Sequence, residues 1–562
     1  LSLSDLLERA RFLSSDRRVI RIPALLGWGV LAGLILCGGL RRLHVPPVAI
    51  SEWDSWGWLH PALNWLGGLG FHEEFEREWL YGAFIAFCLR LTGSFAGYIV
   101  IQQMLGLAAG VLMWLTWRAW VSLFPQDMAL EIFSSVAGLY LIALYLFSPI
   151  AMAFELAIRP EAIIAFVAFF QLFCVVSYCR FRWKEPHAAA SIIFGALSLP
   201  LAWALFVLKP NRALAVPATV LPVFLGIFGQ ARPHAARLLP PALGCGLIIL
   251  SLWLPDKLLF LRTSQTRMVL PLTLFTIHAD IIRENLADEL QSPKTTTDRR
   301  QFLEGFLPVL DKEILTAKVE NPSYKRIGFD PDYLMYRSAI FPSLSSEWRM
   351  TPEQVAAFCR RSFVSAIAHR SLDYARKVGS QIEYFFFPDD GTFFRKRVDL
   401  AKIYAYSLQT LPLTLEAASN AGTQSLFQAY RTQTEDRVSQ AKNLESIRSF
   451  RQFLKSAKSF TLTIELAFLL SLAACFFWKP LAFMRLPGLV ALLIFSAPLG
   501  NALTVAMVHA LDNSRYRGGY GPLLIFSLGG ASSLLPPLSL RPCLPGYRTA
   551  GVFANAIPPL TN

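Results

Sequence analysis

Pro487–Val508 reads PGLVALLIFSAPLGNALTVAMV, an unbroken apolar run without one charged side chain. About 17–25 such residues suffice for a helix to cross the hydrocarbon core of a bilayer. The segment at 460–478 (FTLTIELAFLLSLAACFFW) has the same character, with Glu465 as its single charge. Further apolar runs lie at 22–40, 94–117, 128–150, 162–179, 190–208, 213–229, 238–261 and 520–536. Several contain Pro or Gly, which membrane helices tolerate where neighbours satisfy the freed backbone groups. The expectation is an all-α polytopic membrane protein with about ten transmembrane helices. Composition agrees. Of the 562 residues, 54% are hydrophobic and 16% charged, against about a quarter charged in ordinary soluble chains.

The charges are unevenly placed. Residues 263–458 hold roughly half of all Asp, Glu, Lys and Arg, the density of a soluble domain. This divides the chain into an N-terminal transmembrane module (1–262), a water-exposed domain (263–458), and a C-terminal part with the last helices and a tail (459–562). Lys and Arg favour cytoplasmic loops. Arg9, Arg11, Arg17, Arg18 and Arg21 precede the first span, and ten crossings put Arg118, Arg180, Arg182, Lys184, Arg232, Arg237, Lys479, Arg485, Arg541 and Arg548 on the same side. Arg41, Arg42, Lys209 and Arg212 are exceptions on the other side. Both termini are thus expected in the cytoplasm of an inner (plasma) membrane protein. The first loop (41–93) and the domain at 263–458 face the periplasm or an equivalent lumen. The first apolar run lacks a small-residue cleavage site and reads as an anchor rather than a signal peptide.

The net charge of +14 sits largely in cytoplasmic loops and the N-terminus, so anionic membrane lipid explains it better than nucleic acid. No zinc-type cysteine spacing, P-loop or dinucleotide glycine motif is present. Cys359 is alone in the exposed domain, which excludes an internal disulfide there. That domain reads as mainly helical. In 353–378, Val355, Phe358, Phe363, Ala366 and Ile367 recur at helical spacing, and Asn321-Pro322, Phe341-Pro342 and Phe387-Pro388-Asp389-Asp390-Gly391 punctuate as turns. Its role is either to help bind a partner substrate or to serve as a solvated cap.

The chemistry lies in the first loop, which begins Ser51-Glu52-Trp53-Asp54-Ser55-Trp56. Trp56, Leu59, Leu63 and Leu66 follow at helical spacing, with Trp58 and Trp65 beside them, as in a helix lying in the membrane interface. Glu52 and Asp54 are thus presented where the first span leaves the membrane. A carboxylate there can accept the proton of an attacking hydroxyl or amine. The alternative is that both are loop residues capping the interfacial helix.

The order of features resembles the GT-C glycosyltransferases, a superfamily that includes the protein O-mannosyltransferases and lipid A aminoarabinose transferases. A first span, an acidic loop, an interfacial helix ending in Gly, Arg77-Glu78-Trp79-Leu80-Tyr81-Gly82, and the helix start Gln102-Gln103-Met104-Leu105-Gly106 follow in that order. Bacterial members commonly read Arg-x-Pro-Leu-Tyr-Pro at the first of these segments; here both prolines are replaced. Arg159-Pro160-Glu161-Ala162 is similar to an acidic outward end of the fourth span, and Lys209-Pro210-Asn211 to the pair that ends the fifth. Asp512-Asn513-Ser514-Arg515-Tyr516-Arg517 resembles the last outward loop. The resemblance covers most of 22–262 and 460–536, and not the exposed domain.

It implies an inverting transferase that moves a sugar from a polyprenyl-phosphate donor to an unidentified glycan, lipid or protein acceptor at the outer face. Asp54 is the expected base, with Glu52 beside it. Arg77, Tyr81, Arg159, Glu161, Lys209, Arg515, Tyr516 and Arg517 are the expected donor-phosphate and substrate residues. Fixed cations suit a phosphate leaving group, and the planar fork of Arg holds two of its oxygens. Glu52-x-Asp54 also has the spacing of a divalent-metal motif found in oligosaccharyltransferases. Monosaccharide-transferring relatives generally lack an essential metal, so none is expected. Two other readings stand beside this one: a non-catalytic scaffold derived from such a transferase, for which the replaced prolines speak, and a secondary transporter. The latter is expected to show repeated halves, which this sequence does not.

Overall fold

The computed structural model describes residues 17–52, 54–71, 79–124, 128–209, 212, 214–228, 269–320, 324, 326–386, 397–417, 422–440, 447–448, 470, 477 and 484–509. The N-terminal half opens with α1 (Arg17–Leu43), then the short α2 (Trp56–Leu66) and α3 (Trp79–Thr92) of the first loop. The turn from α3 into α4 (Phe95–Val121) is written in Thr92-Gly93-Ser94. Gly93 takes φ +67°, a left-handed conformation that costs glycine little. Ser94 then caps α4 by accepting from the Gly97 N–H at 3.1 Å. After α5 (Met128–Leu146), Ser148-Pro149 breaks the helix. Ser148 caps α6 (Pro149–Leu156), with Pro149 in its first turn, where the missing N–H costs nothing. Next come α7 (Glu161–Cys179), extended by a π turn at Arg180–Lys184, α8 (Ala188–Leu208) and α9 (Ala215–Phe228).

The polar part is helical: α10 (Val269–Ile277), α11 (Ala279–Gln291), α12 (Thr297–Glu320), α13 (Pro331–Tyr336), α14 (Ile340–Ser346), α15 (Pro352–His369) and α16 (Ser371–Phe386). The run read as continuous over 353–378 is two helices. Arg370 closes α15, which starts from a capping box between Thr351 and Gln354. After a two-residue strand β1 (Arg397–Val398) come α17 (Leu400–Ala417) and α18 (Gln424–Ser439). A second such strand, β2 (Ile447–Arg448), pairs antiparallel with β1, and α19 (Arg485–Val508) is the last described helix. Among the described residues the fold is all-α apart from that pairing and one isolated bridge.

Burial divides this region in two. Phe275, Leu303, Phe306, Leu310, Leu334, Phe358 and Cys359 belong to a core of their own. By contrast Val378, Leu400, Tyr404, Leu411, Phe427 and Tyr430 share the core of the N-terminal helices. The helices after Val378 are therefore packed onto the bundle and do not stand away from it as a separate unit.

The count of about ten transmembrane helices is corrected. Among the described residues five helices are long and apolar enough to cross a membrane: Leu25–Leu43, Phe95–Val121, Glu161–Lys184, Ala188–Leu208 and Arg485–Val508. A sixth arises if Glu131–Leu146 and Pro149–Leu156, bent by 47°, make one broken span. Apolar composition over-counted, since it registers hydrophobicity and not helix length. The run at 128–150 is not one straight helix but breaks at Ser148-Pro149, and of the run at 213–229 the described part is α9, with Pro222 inside it. The runs at 238–261 and 520–536, and nearly all of 460–478, lie outside the described residues. The chain is a multi-pass membrane protein.

Candidate active site

The first loop is tied to the segment between α6 and α7 by backbone. Ile50 N–H donates to the Leu156 carbonyl at 2.8 Å and Ile158 N–H to the Ile50 carbonyl at 2.9 Å, a one-residue parallel bridge. Ser55 tightens it by donating its hydroxyl to the Ile158 carbonyl at 3.2 Å and accepting from the Glu52 N–H at 2.9 Å. Two segments a hundred residues apart are thereby held side by side, and their charged side chains meet. Arg159 Nη2 forms an ion pair with Glu52 and lies 3.6 Å from an Asp54 oxygen. The guanidinium is 8% exposed while the carboxylates are 28% and 21% exposed. One buried cation therefore organises two half-open acids. Arg159 Nε is buried without a hydrogen-bond partner among the described residues. The N-cap position of α2 is Ser55, one residue after Asp54.

Below the acids a hydrogen-bonded chain fixes the segment that carries Arg159. The hydroxyls of Tyr81 and Tyr98 are 2.5 Å apart, and Tyr81 donates to Gln102 Oε1 at 3.3 Å. Gln102 Nε2 donates to the carbonyls of Glu155 and Ala157 at 3.1 and 3.0 Å. Tyr81 is only 1% exposed, and its hydroxyl is taken up by this hydrogen-bonded chain. Gly82 is pressed against α2. A Cβ there would meet the Trp58 carbonyl at 3.2 Å and Pro61 Cγ at 3.3 Å.

Deeper still, Arg42 donates Nε and Nη2 to the two Glu155 oxygens at 2.7 and 2.6 Å and Nη1 to the carbonyls of Gly38 and Leu146 at 3.1 Å. Both side chains are 2% exposed. Gly106 makes room for this carboxylate, since a Cβ there would fall 2.0 Å from Glu155 Oε1. Arg42 was an exception to the cytoplasmic-charge rule, and its buried pairing accounts for it. Lys209 is a second such case: its Nζ sits 2.7 Å from Glu161 Oε1 and the pair joins the end of α8 to the start of α7.

These contacts share one end of the bundle, where the C-terminal ends of α1 and α8 meet the N-terminal ends of α4 and α7. The polar helices approach this same end. Ser407 of α17 accepts from the Ser51 N–H at 2.8 Å, Tyr404 donates to the Val48 carbonyl at 3.0 Å, and Tyr430 of α18 stacks on Phe95 at 4.5 Å. Tyr406 of α17 lies within electrostatic reach of the acid pair. Burial, and then the charges of Glu52 and Asp54, raise its phenol above the ordinary value, with Arg159 opposing.

Of the expected site residues, Glu52, Asp54 and Arg159 come together, and Glu161 pairs with Lys209. Arg77, Arg515, Tyr516 and Arg517 lie outside the described residues. Among the described residues no further His, Cys, Asp or Glu joins Glu52 and Asp54 in a metal-ligand cluster. Sequence reading missed Glu155, Tyr98, Tyr406 and Ser407. Glu155 carried a signal, as a carboxylate inside an apolar stretch, where charge is costly. Tyr406 and Ser407 carried none, because only the docking of α17 brings them to the loop.

No protein-family model matches the chain, and no curated protein matches it. Among solved structures, an archaeal oligosaccharyltransferase, AglB of Archaeoglobus fulgidus in complex with an inhibitory peptide and a dolichol-phosphate, aligns with 92% of this chain at 12% identity and a TM-score of 0.34. The chain covers 51% of that protein, about half its length. Likeness at that level decides neither family nor chemistry.

Proposed function

We propose that the chain is a GT-C-type glycosyltransferase that moves a sugar from a polyprenyl phosphate to an acceptor at the outer face of the membrane, with inversion at the anomeric carbon. The observation that carries this reading is the Glu52–Arg159–Asp54 cluster, two half-exposed acids held on one buried guanidinium where several spans end. Glu52 is the acid more tightly drawn to Arg159, and fits an anchoring role. Asp54, at 3.6 Å, is the better base for the acceptor hydroxyl or amine. As that proton leaves, the nucleophile attacks the anomeric carbon from the face opposite the phosphate. The C–O bond to phosphate breaks with its electron pair, leaving polyprenyl phosphate. Arg159 then compensates the charge of whichever acid remains ionised.

The leaving phosphate needs cations of its own. Arg159 and Lys209 are both engaged by carboxylates, so the sequence expectation for Arg77, Arg515 and Arg517 becomes the more important one. The replaced prolines around Tyr81, which favour a non-catalytic scaffold, have a local reason in the packing of Gly82 on α2. The deciding experiment incubates the full chain in nanodiscs with a panel of polyprenyl-phosphate monosaccharides and follows release of polyprenyl phosphate. Release with at least one donor supports the transferase. Intact, monodisperse protein that turns over none of them favours the scaffold.

A further inference from the structure

Away from that site, α11, α12, α15 and the segment 348–350 before α15 line a half-open cavity of about 700 Å³. That volume is in the range of small-molecule sites, which combine apolar walls with a few convergent polar groups. Its aromatic wall is Trp348, held by edge-to-face contacts to Phe302 and Phe306 at 5.3 and 5.7 Å. Asn285 and Ser365, already joined at 3.1 Å, present an amide and a hydroxyl to the cavity.

Three arginines line it, and their charges are treated differently. Arg299 is neutralised by Glu289 through two bonds of 2.8 and 2.9 Å, and lies over the rings of Phe302 and Phe358. Arg349 and Arg361 are exposed, and neither forms an ion pair among the described residues. Arg349 also has φ +51°, a left-handed backbone that is unfavourable for a side chain bearing Cβ and that tends to persist at ligand clamps. The cavity thus keeps two cations without a counter-charge beside an indole and neutral hydrogen-bonding groups.

We propose that this cavity is a binding site for a saccharide bearing an anionic substituent, carboxylate or phosphate. The ring stacks on Trp348, its hydroxyls bond to Asn285 and Ser365, and Arg349 and Arg361 take the charge. A bare anion would not need the aromatic wall, and a neutral sugar would not need two unneutralised arginines. The site does not depend on the transferase reading, because binding can be measured with no donor lipid present.

The test is calorimetric titration of the full-length protein in detergent with trigalacturonate, maltotriose and inorganic phosphate. Saturable binding of trigalacturonate is expected, at least tenfold tighter than either of the others and weakened by salt. The double variant Arg349→Gln/Arg361→Gln should lose at least tenfold for trigalacturonate, and Trp348→Ala a similar factor. Both arginines are exposed, so the double variant is expected to keep the circular-dichroism spectrum and melting profile of the parent. Equal binding of maltotriose, equal binding of phosphate, no binding of trigalacturonate, or binding unchanged by the arginine pair would each overturn the proposal.

Discussion

Arg42 and Arg159 both pair with carboxylates at the same end of the helix bundle, yet one pair is sealed and the other open. Arg42 spends its guanidinium on Glu155 and two carbonyls, with both partners 2% exposed. Arg159 is shared between two acids that stay 28% and 21% exposed, and its Nε has no partner among the described residues. A buried charge is tolerated only when paired and hydrogen-bonded on all sides. The first arrangement satisfies that condition and gains nothing from contact with solvent or substrate. The second leaves acceptor capacity on the carboxylates where a ligand can arrive. Sealed pairs hold the architecture, and open ones are where protons can move.

The strongest attack on this contrast is Asp54→Asn. Asn has nearly the size of Asp but is no base at neutral pH, so sugar transfer should fall by about 10²–10⁴-fold with folding intact. Glu52→Gln should lose less, because its role is to hold Arg159. Transfer rates and elution profiles of the two variants check this, and near-normal activity in Asp54→Asn removes the proposed base.

At the sealed pair the effect should be on stability. Glu155→Ala strands a buried guanidinium, and Gly106→Ala drives a methyl group to 2.0 Å from Glu155 Oε1. Each is expected to cost about 3–5 kcal/mol, read as a lower melting temperature or loss of monodisperse protein. If both variants are stable and transfer is what falls, the Arg42 pair is not architectural and the contrast dissolves.

A third buried titratable group lies in the polar helices. His278 is 1% exposed, with Nε2 3.0 Å from the Met507 carbonyl. Burial and then the nearby Lys377 charge push its imidazole down to about 4, opposed by that hydrogen bond and by Asp280. The unfolded imidazole, near 6.5, takes a proton that the folded one refuses. Its contribution is therefore fully present above about pH 6.5 and lost as pH falls toward 4, by up to about 3 kcal/mol. Denaturation midpoints between pH 7.5 and 4.5 should fall in the parent and flatten in His278→Gln.

The smallest effect is expected at Lys209, whose pair is closed on the Glu161 side and 15% exposed on its own. Lys209→Met should change transfer by about tenfold or less, since one half-buried hydrogen bond to a charged group is worth about 1.5–3 kcal/mol and part of that is stability. A loss as large as that of Asp54→Asn would place Lys209 among the groups that meet the donor.

Much of this was legible in advance. Trp56, Leu59 and Leu63 announced the helix that follows the acidic loop, and the apolar run at 94–117 announced α4. Arg159-Pro160-Glu161 marked the opening of α7, where Glu161 stands in the first turn. The number of spans was misjudged, because hydropathy weighs composition while the break at Ser148-Pro149 is a matter of geometry. The motif named Tyr81 but not its depth: the side chain is 1% exposed, beside Tyr98 and Gln102.

The sequence by itself determined the membrane class, the helical nature of the polar region, and the acids and arginines that chemistry would need. Those follow from local composition and period, which the chain carries at every position. Only the tertiary structure decided that Arg159 meets Glu52 and Asp54, that Arg42 is sealed on Glu155 against Gly106, and that α17 docks on the first loop through Tyr404 and Ser407. The physical reason is that pairing depends on which distant segments the backbone brings together. A single bridge between Ile50 and Ala157 sets whether a carboxylate is a solvated loop charge or half of an active site.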